Sequence, residues 1–523
     1  MRRSSSLRFA VLLLCHAGVA GAWTNVKVNT RTNNPEETSI AINPLDPSNV
    51  IGVAQNADCC YYATTDGGGT WSDGSLVDPF CLGDPSIAFD RRGYAYYCYI
   101  GDWSHSGIFI NRSTDGGRTW MPAGVPVIQH VGSVPFEDKS YPVADWTESP
   151  HRDNLYVSWT QFDHYGSDAP TDSSRILFAR SIDAGLSFSV PIKISDRGGN
   201  AIDSDETVEG AVPAVGPDGE VYVAWSGPRG IEFDRSLDGG LTFGRDIFVT
   251  SQPGGWDFAV PGFYRANGLP VTKADISGGP HRGRVYVNWS DQRAGDTDVY
   301  VIWSDDRGDS WGPVVRVNDD AIGNGRDQFF TWMDVDPVTG FIYVVFYDRR
   351  EHAENRITDV YLASSTDGGA HFLNQKISTA PFTPNPNVFF GDYTGITAFA
   401  GRIRPLWMRM DSTWDLSAWT ALIDMPNADV LEPTVAAPQL VVYPNPVRTW
   451  AQIVCASSVE GPIRLDIHDL GGRLVRRLGA DFPQKGTRVI WWDGRTEDRR
   501  EAAAGLYFVS GEGIAPARIV VIR

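Results

Sequence analysis

Six stretches place an acid at or just before a run of β-branched and aromatic residues: Glu37 in ETSIAI, Asp84 in DPSIAF, Asp138 in DKSYPV, Glu209 in EGAVPAV, Asp327 in DQFFTW and Asp392 in DYTGITA. A second set follows later runs: Asp102, Asp163, Asp291, Asp348 and Asp411, with Arg293, Arg349 and Arg350 beside some of them. Carboxylates gathered at one place repel unless a cation, arginines or sugar hydroxyls answer them. Such a set could run cation-dependent hydrolysis or elimination, hold calcium, or hydrogen-bond a sugar. The plain alternative is that each acid accepts backbone N–H groups of its own turn. Other catalytic signatures are absent. There is no Gly-x-Ser-x-Gly, His-Glu-x-x-His, phosphate loop or Cys-x-x-Cys, and the nine histidines are scattered; His281 in GGPHRG reads as a loop residue.

The elements that must position these acids are legible as a repeat. Ser/Thr-x-Asp-x-Gly-x-(Thr/Ser)-aromatic occurs as TTDGGGTW, STDGGRTW, SIDAGLSF, SLDGGLTF and SDDRGDSW, and with His371 at its seventh place as STDGGAHF. Its aspartates, Asp66, Asp115, Asp183, Asp238, Asp306 and Asp367, are 49 to 68 residues apart, a period that suits propeller blades. The box has hairpin-turn chemistry: Asp accepts N–H bonds, Gly takes positive φ, and the aromatic ring packs back. Two strands precede each box, a third enters it and a fourth leaves it, the pattern of a four-stranded blade.

Counting first strands, near Ser39, Ser86, Tyr141, Val212, Val271, Phe330 and Thr394, gives seven units. The seventh (391–424) has no box and no fourth strand. WTNVKVN, residues 23–29, is similar to the closing strand WGPVVRVN and predicts that the N-terminal segment completes the seventh blade. The expected fold is all-β: a seven-bladed β-propeller, with six blades as the alternative, over residues 23–424, then a linker (425–439) and a small β-sandwich (440–523). First strands line a propeller's channel, so the first set of acids should ring its mouth.

Residues 1–22 carry Arg2, Arg3 and Arg8, an apolar run and Ala20-Gly21-Ala22, and read as a secretory signal peptide; a lipoprotein anchor at Cys15 is the competing reading. No later stretch approaches the ~20 apolar residues of a membrane helix. Net charge is −19. The first 22 residues carry three arginines and no acid, and residues 440–523 carry twelve basic and nine acidic side chains, so residues 23–439 hold about −25. That disfavours nucleic acid and anionic membrane and suits cations or neutral sugars. In an exported chain Cys59, Cys60, Cys81 and Cys98 could form two disulfides, with zinc as the sharper alternative, and Cys455 in AQIVCAS reads as a buried small hydrophobe.

The repeated box resembles the Asp-box of bacterial sialidases and the wider neuraminidase-repeat family, over residues 23–424. The resemblance implies boxes on the face opposite the active site, and an exo-α-sialidase with a carboxylate-gripping arginine triad, a tyrosine nucleophile, a glutamate base and an aspartic acid. By order and type, Asp84, Glu209, Arg293, Arg349 and Tyr393 would fill the catalytic places, with Glu37, Asp138, Asp327 and Asp392 as ligand-binding acids. The family's Phe-Arg-Ile-Pro motif is missing; only Arg31 precedes the first box. No cofactor is required by this reading, and calcium is the cation an acid ring would admit. Trp103, Trp256 and Tyr393 would offer stacking surfaces for sugars.

The tail resembles the C-terminal sorting domain of type IX secretion cargo and the immunoglobulin-like domain of flagellar hook-capping proteins, through Tyr443-Pro444-Asn445-Pro446, LDIHDLGGRLVRRL, WWDG, AGLYFV and the terminal RIVVIR. That implies the type IX secretion machinery as a partner and a secreted, extracellular or cell-surface location. The expected function is engagement of extracellular carbohydrate, as an exo-acting glycoside hydrolase or, alternatively, as a non-enzymatic glycan-binding or adhesion protein.

Overall fold

The computed structural model describes residues 23–55, 59–78, 80–425, 440–443, 445–457, 463–480, 486–511 and 514–522. The signal segment 1–22 and residues 426–439 of the linker lie outside them. All the regular structure described is β-strand.

Seven four-stranded antiparallel sheets fill residues 24–424. Their first strands are Glu36–Ile42, Cys81–Phe89, Phe136–Ala144, Glu209–Val215, Val271–Ala274, Gln328–Val335 and Gly395–Phe399. Each first strand touches the next, and the seventh touches the first, so the sheets stand in a closed ring. Within six sheets the strands follow in chain order. The seventh borrows its outer strand from the N-terminal segment: Thr24–Lys27 pairs antiparallel with Leu416–Asp424, Val26 opposite Thr420. Side chains fix this closure as well. Asn29 Oδ1 accepts from Ala418 N (2.9 Å), Asn25 bonds Ile377 O and Thr379 N (both 2.8 Å), and Lys27 pairs with Asp411 (2.9 Å).

Apolar residues alternate along the strands and meet between neighbouring sheets, where Trp159, Trp225, Trp289 and Trp407 are fully buried. The six boxes form turns of one design. In the fifth, Asp306 Oδ1 accepts Ser310 N (2.8 Å) and Ser304 Oγ (2.7 Å), and Oδ2 accepts Ser310 Oγ (2.5 Å). These bonds lower the carboxyl to about 2. The other box aspartates accept the same set, with the His371 ring in place of the hydroxyl at Asp367. Since a first strand runs away from the acids and the antiparallel third strand runs the same way into the box, boxes and acids lie at opposite ends of the ring.

The described residues from 440 onward build a second unit of two sheets, three and four strands, over one core that includes Val447, Ile453, Leu465, Ile467, Trp492 and Val509. Trp450 of this unit packs on Phe341 of the ring, centroids 5.5 Å apart.

One disulfide is formed, Cys59–Cys81, where two were expected. Cys60 points the other way along its strand, its Sγ 3.0 Å from Tyr62 Oη, and Cys98 donates to Ser140 Oγ at 3.1 Å across a sheet boundary. Strand alternation directs each thiol into a different packing layer, so the second bridge cannot close. The Cys455 side chain lies outside the described residues.

Candidate functional site

Five first strands carry a β-bulge at the acid end, between Glu36 and Ser39, Gly83 and Ser86, Asp138 and Tyr141, Glu209 and Val212, and Phe329 and Trp332. Each bulge holds one residue in the left-handed region: Glu37 (φ 50°), Asp84 (49°), Lys139 (45°), Gly210 (78°) and Phe330 (48°). Only glycine adopts that conformation without cost, so four positions of this ring carry backbone strain. The bulge re-aims the strand start and turns Glu37, Asp84 and Lys139 inward, together with the adjoining Asp138 and Glu209.

The result is a buried carboxyl cluster around one lysine. Lys139 Nζ is 2.7 Å from Asp392 Oδ2 and 3.5 Å from Glu209 Oε1. From the solvent side Arg265 closes on the same aspartate, Nε donating to Oδ1 at 2.7 Å and Nη2 to Oδ2. Arg265 stands on an added hairpin, Asp257–Phe258 paired with Ala266–Asn267, between the fourth and fifth sheets. Asn267 Nδ2 also donates to Asp392 O, at 2.9 Å. Burial alone would raise Asp392, but Lys139 and Arg265 hold it down at about 2. The lysine is held well above its usual value: attraction from Asp392, Asp138 and Glu209 outweighs its burial.

The remaining acids of the cluster lack such cations. Burial first, then the neighbouring charges of Asp84 and Asp392, pushes Glu37 well above the carboxylate range; burial and Asp84 do the same to Asp138, and burial and Asp203 to Glu209. Neither oxygen of Glu209 accepts a hydrogen bond, nor does Oε2 of Glu37. Carboxyls so placed hold their protons to higher pH than free ones and titrate as a coupled set.

Toward solvent the cluster opens on a rim of Glu36, Asp203, Asp205 and Asp257. Glu36 is raised to about 7 by burial and by Asp392. Asp203 accepts Tyr165 Oη at 2.5 Å and lies 3.5 Å from Arg265; Asp257 accepts Ser204 Oγ at 3.1 Å, and its N–H donates to Asp205 at 2.8 Å. Aromatic rings flank this rim. Trp103, 58% exposed, stacks on Phe136, which touches Tyr165. On the other side Tyr264, 63% exposed, meets Phe389, over which Arg265 lies.

Beneath the acids Tyr141, Trp332 and Tyr393 pack with centroids 5.5, 5.7 and 5.8 Å apart. They stand between the cluster and an axial channel of about 180 Å³ lined by Ile40, Ile87, Val143, Val212 and Ile396.

Of the acids singled out in the sequence, Glu37, Asp84, Asp138, Glu209 and Asp392 come together. Asp327 does not: it accepts Thr297 N (3.2 Å) and Asn355 Nδ2 (2.5 Å) in a separate corner. Tyr393 is buried and donates its hydroxyl to Pro85 O (3.0 Å), its pKa driven far up by burial and Glu37. The arginines do not converge. Arg293 binds Asp291 and Ser251 O, and Arg350 binds Asp348, Asp319 and Asn374. Arg349 is fully buried, donates to Asn355 O and Pro261 O, and is lowered to about 10 by burial. Asp102 and Asp163 are bonded by neighbours in their own loops, and Asp411 by Arg409 and Lys27. Trp256 is buried, its indole donating to Thr207 O. Among the described residues no group of three or more His, Cys, Asp or Glu is arranged to hold a metal ion. The signal that could have found Lys139 was its place inside DKSYPV; nothing near Arg265 pointed to Asp392.

No protein-family model and no curated protein matches the chain. Among solved structures it is similar to a family PL25 ulvan lyase bound to -[GlcA(1-4)Rha3S]- (TM-score 0.44, 13% identity, 77% of this chain and 96% of that one). It is also similar to an α-L-arabinofuranosidase from Fusarium graminearum (0.41, 13%, 62% and 92%) and to a Hadza microbial sialidase (0.41, 13%, 72% and 73%). At such scores and identities these likenesses assign neither activity nor substrate. No helix among the described residues is long and apolar enough to cross a membrane.

Proposed function

We propose that this chain is a secreted or cell-surface seven-bladed β-propeller, with an immunoglobulin-like C-terminal sorting domain, that hydrolyses a glycosidic bond at its acidic mouth. One observation carries the reading: Glu36, half-buried on the rim, has its carboxyl raised to about 7 by burial and Asp392, the value a general acid needs near neutrality. The flanking rings of Trp103, Tyr165 and Tyr264 suit stacking against sugar faces. In this scheme Glu36 gives its proton to the glycosidic oxygen as the C–O bond breaks. Asp203 takes the proton of the water that adds to the sugar carbon, leaving both products neutral.

The exo-α-sialidase form of this reading loses support, because Arg293, Arg349 and Arg350 are bound in three separate places instead of gripping one carboxylate. Non-enzymatic glycan binding is the second reading, favoured by the burial of Asp84, Glu209 and Tyr393, which keeps those three groups from reaching a sugar at the surface. Export is supported by the separate two-sheet unit that the described residues from 440 onward form and by the Cys59–Cys81 bridge, which suits an oxidising compartment.

The test is a panel of fluorogenic neutral, acidic and amino glycosides with a glycan array, for the mature chain and Glu36→Gln. Turnover that drops at least 100-fold in the variant while binding persists is expected. Binding without turnover by the parent assigns the second reading, and neither turnover nor binding overturns both.

A further inference from the structure

We propose that the mouth selects a cationic sugar, a glycan with free amino groups, an inference that rests on the glycan reading above. Three observations carry it. The cations that the described residues bring to the mouth are Lys139 and Arg265, and both are already engaged: each is hydrogen-bonded to Asp392, with Glu209 and Asp203 at 3.5 Å as their further neighbours. Second, Glu209, fully buried and facing the cluster, has only the Lys139 ammonium beside it, 3.5 Å from Oε1 and too far for a good hydrogen bond, and Oε2 of Glu37, 1% exposed, accepts no hydrogen bond. A buried acceptor in that state costs free energy and turns favourable when a donor or positive charge approaches. Third, the rim above them adds Asp203, Asp205 and Asp257, which lie close enough to act on one another's charge, and Glu36 beside Asp392.

An anionic sugar would meet this potential as repulsion. A neutral sugar would meet it as indifference. A protonated amine would be drawn in by the rim carboxylates of Asp203, Asp205 and Asp257, and its N–H groups could also be accepted by the carboxyl oxygens of the cluster beneath. The exposed rings of Tyr165 and Tyr264 add the faces on which a pyranose stacks.

Calorimetric titration of the full mature chain at pH 6 with the β-1,4-linked trimer of glucosamine, the trimer of N-acetylglucosamine and cellotriose tests this. The free amine is protonated at that pH and absent from the other two. The expected result is at least tenfold tighter binding of the amino trimer, an advantage that shrinks when salt is raised from 0.05 to 0.5 M. In Asp257→Asn, an exposed position whose amide oxygen still accepts from Ser204, the amino trimer should lose about threefold and cellotriose nothing. Equal or tighter binding of the neutral trimers overturns the charge inference and leaves the glycan reading in place. No binding by any trimer, nor by the wider glycan array, overturns both.

Discussion

Lys139 and Asp392, 253 residues apart in the chain, meet in a buried ion pair with Nζ 2.7 Å from Oδ2. The pair joins the third sheet to the loop before the seventh, across the middle of the ring, and the surrounding carboxyls are arranged about it.

Removing the lysine should therefore cost more than a surface charge would. Lys139→Met leaves Asp392 with Arg265 alone and Glu209 with no cation, and we expect a loss of about 3–5 kcal/mol, measured by urea unfolding. Asp392→Asn added to it should recover part of that loss, since the uncompensated charge is gone.

Glu36 sets a pH window for stability and for activity. Its carboxyl has a higher pKa folded than its ordinary 4.5, so the native state binds the proton more tightly. Its contribution is complete below pH 4.5 and is lost as pH rises to about 7. Glu36→Gln should flatten the fall in stability across that window by on the order of 1–3 kcal/mol. Turnover by the parent should decline above pH 7, where the general acid has lost its proton. Asp392 has the opposite sign: lowered to about 2, it contributes above its ordinary 3.8 and the contribution is lost as pH falls toward 2.

A box aspartate should matter to folding and not to sugars. Asp306→Ala removes the acceptor for Ser304 and for both Ser310 donors on an exposed turn. The expected cost is about 1 kcal/mol, with glycan binding unchanged, because the box lies at the far end of its sheet from the acids.

The disulfide closes a 22-residue separation. Cys59→Ser should lower stability by about 2–4 kcal/mol in thermal or denaturant unfolding, and mild reduction of the parent should give the same shift.

Much of this fold could be read from the chain because each unit repeats its own turn chemistry. Asp66 and its five counterparts use neighbours within four residues, so their roles are local and visible in eight letters. The acids of the first strands were legible for the same reason, as a recurring position at the start of a recurring strand. Asp327 was misplaced because in its unit the bulge residue is Phe330, which leaves the acid three positions upstream and facing another corner. The arginine clamp failed for a different reason. Arg293 and Arg350 each stand two residues from an aspartate, and that short-range pairing satisfies them before any long-range one can. Arg265 was invisible, since its partner is 127 residues away and its hairpin belongs to no repeated unit.

The seam between Thr24–Lys27 and Leu416–Asp424 also dictates when folding can finish. A chain emerging from the ribosome holds its first strand from the outset but meets that strand's partner only after nearly 400 further residues have been made. Until then the nascent array has two raw flanks, each able to recruit a stranger, and the last sheet acts as a latch that a truncated translation product can never throw.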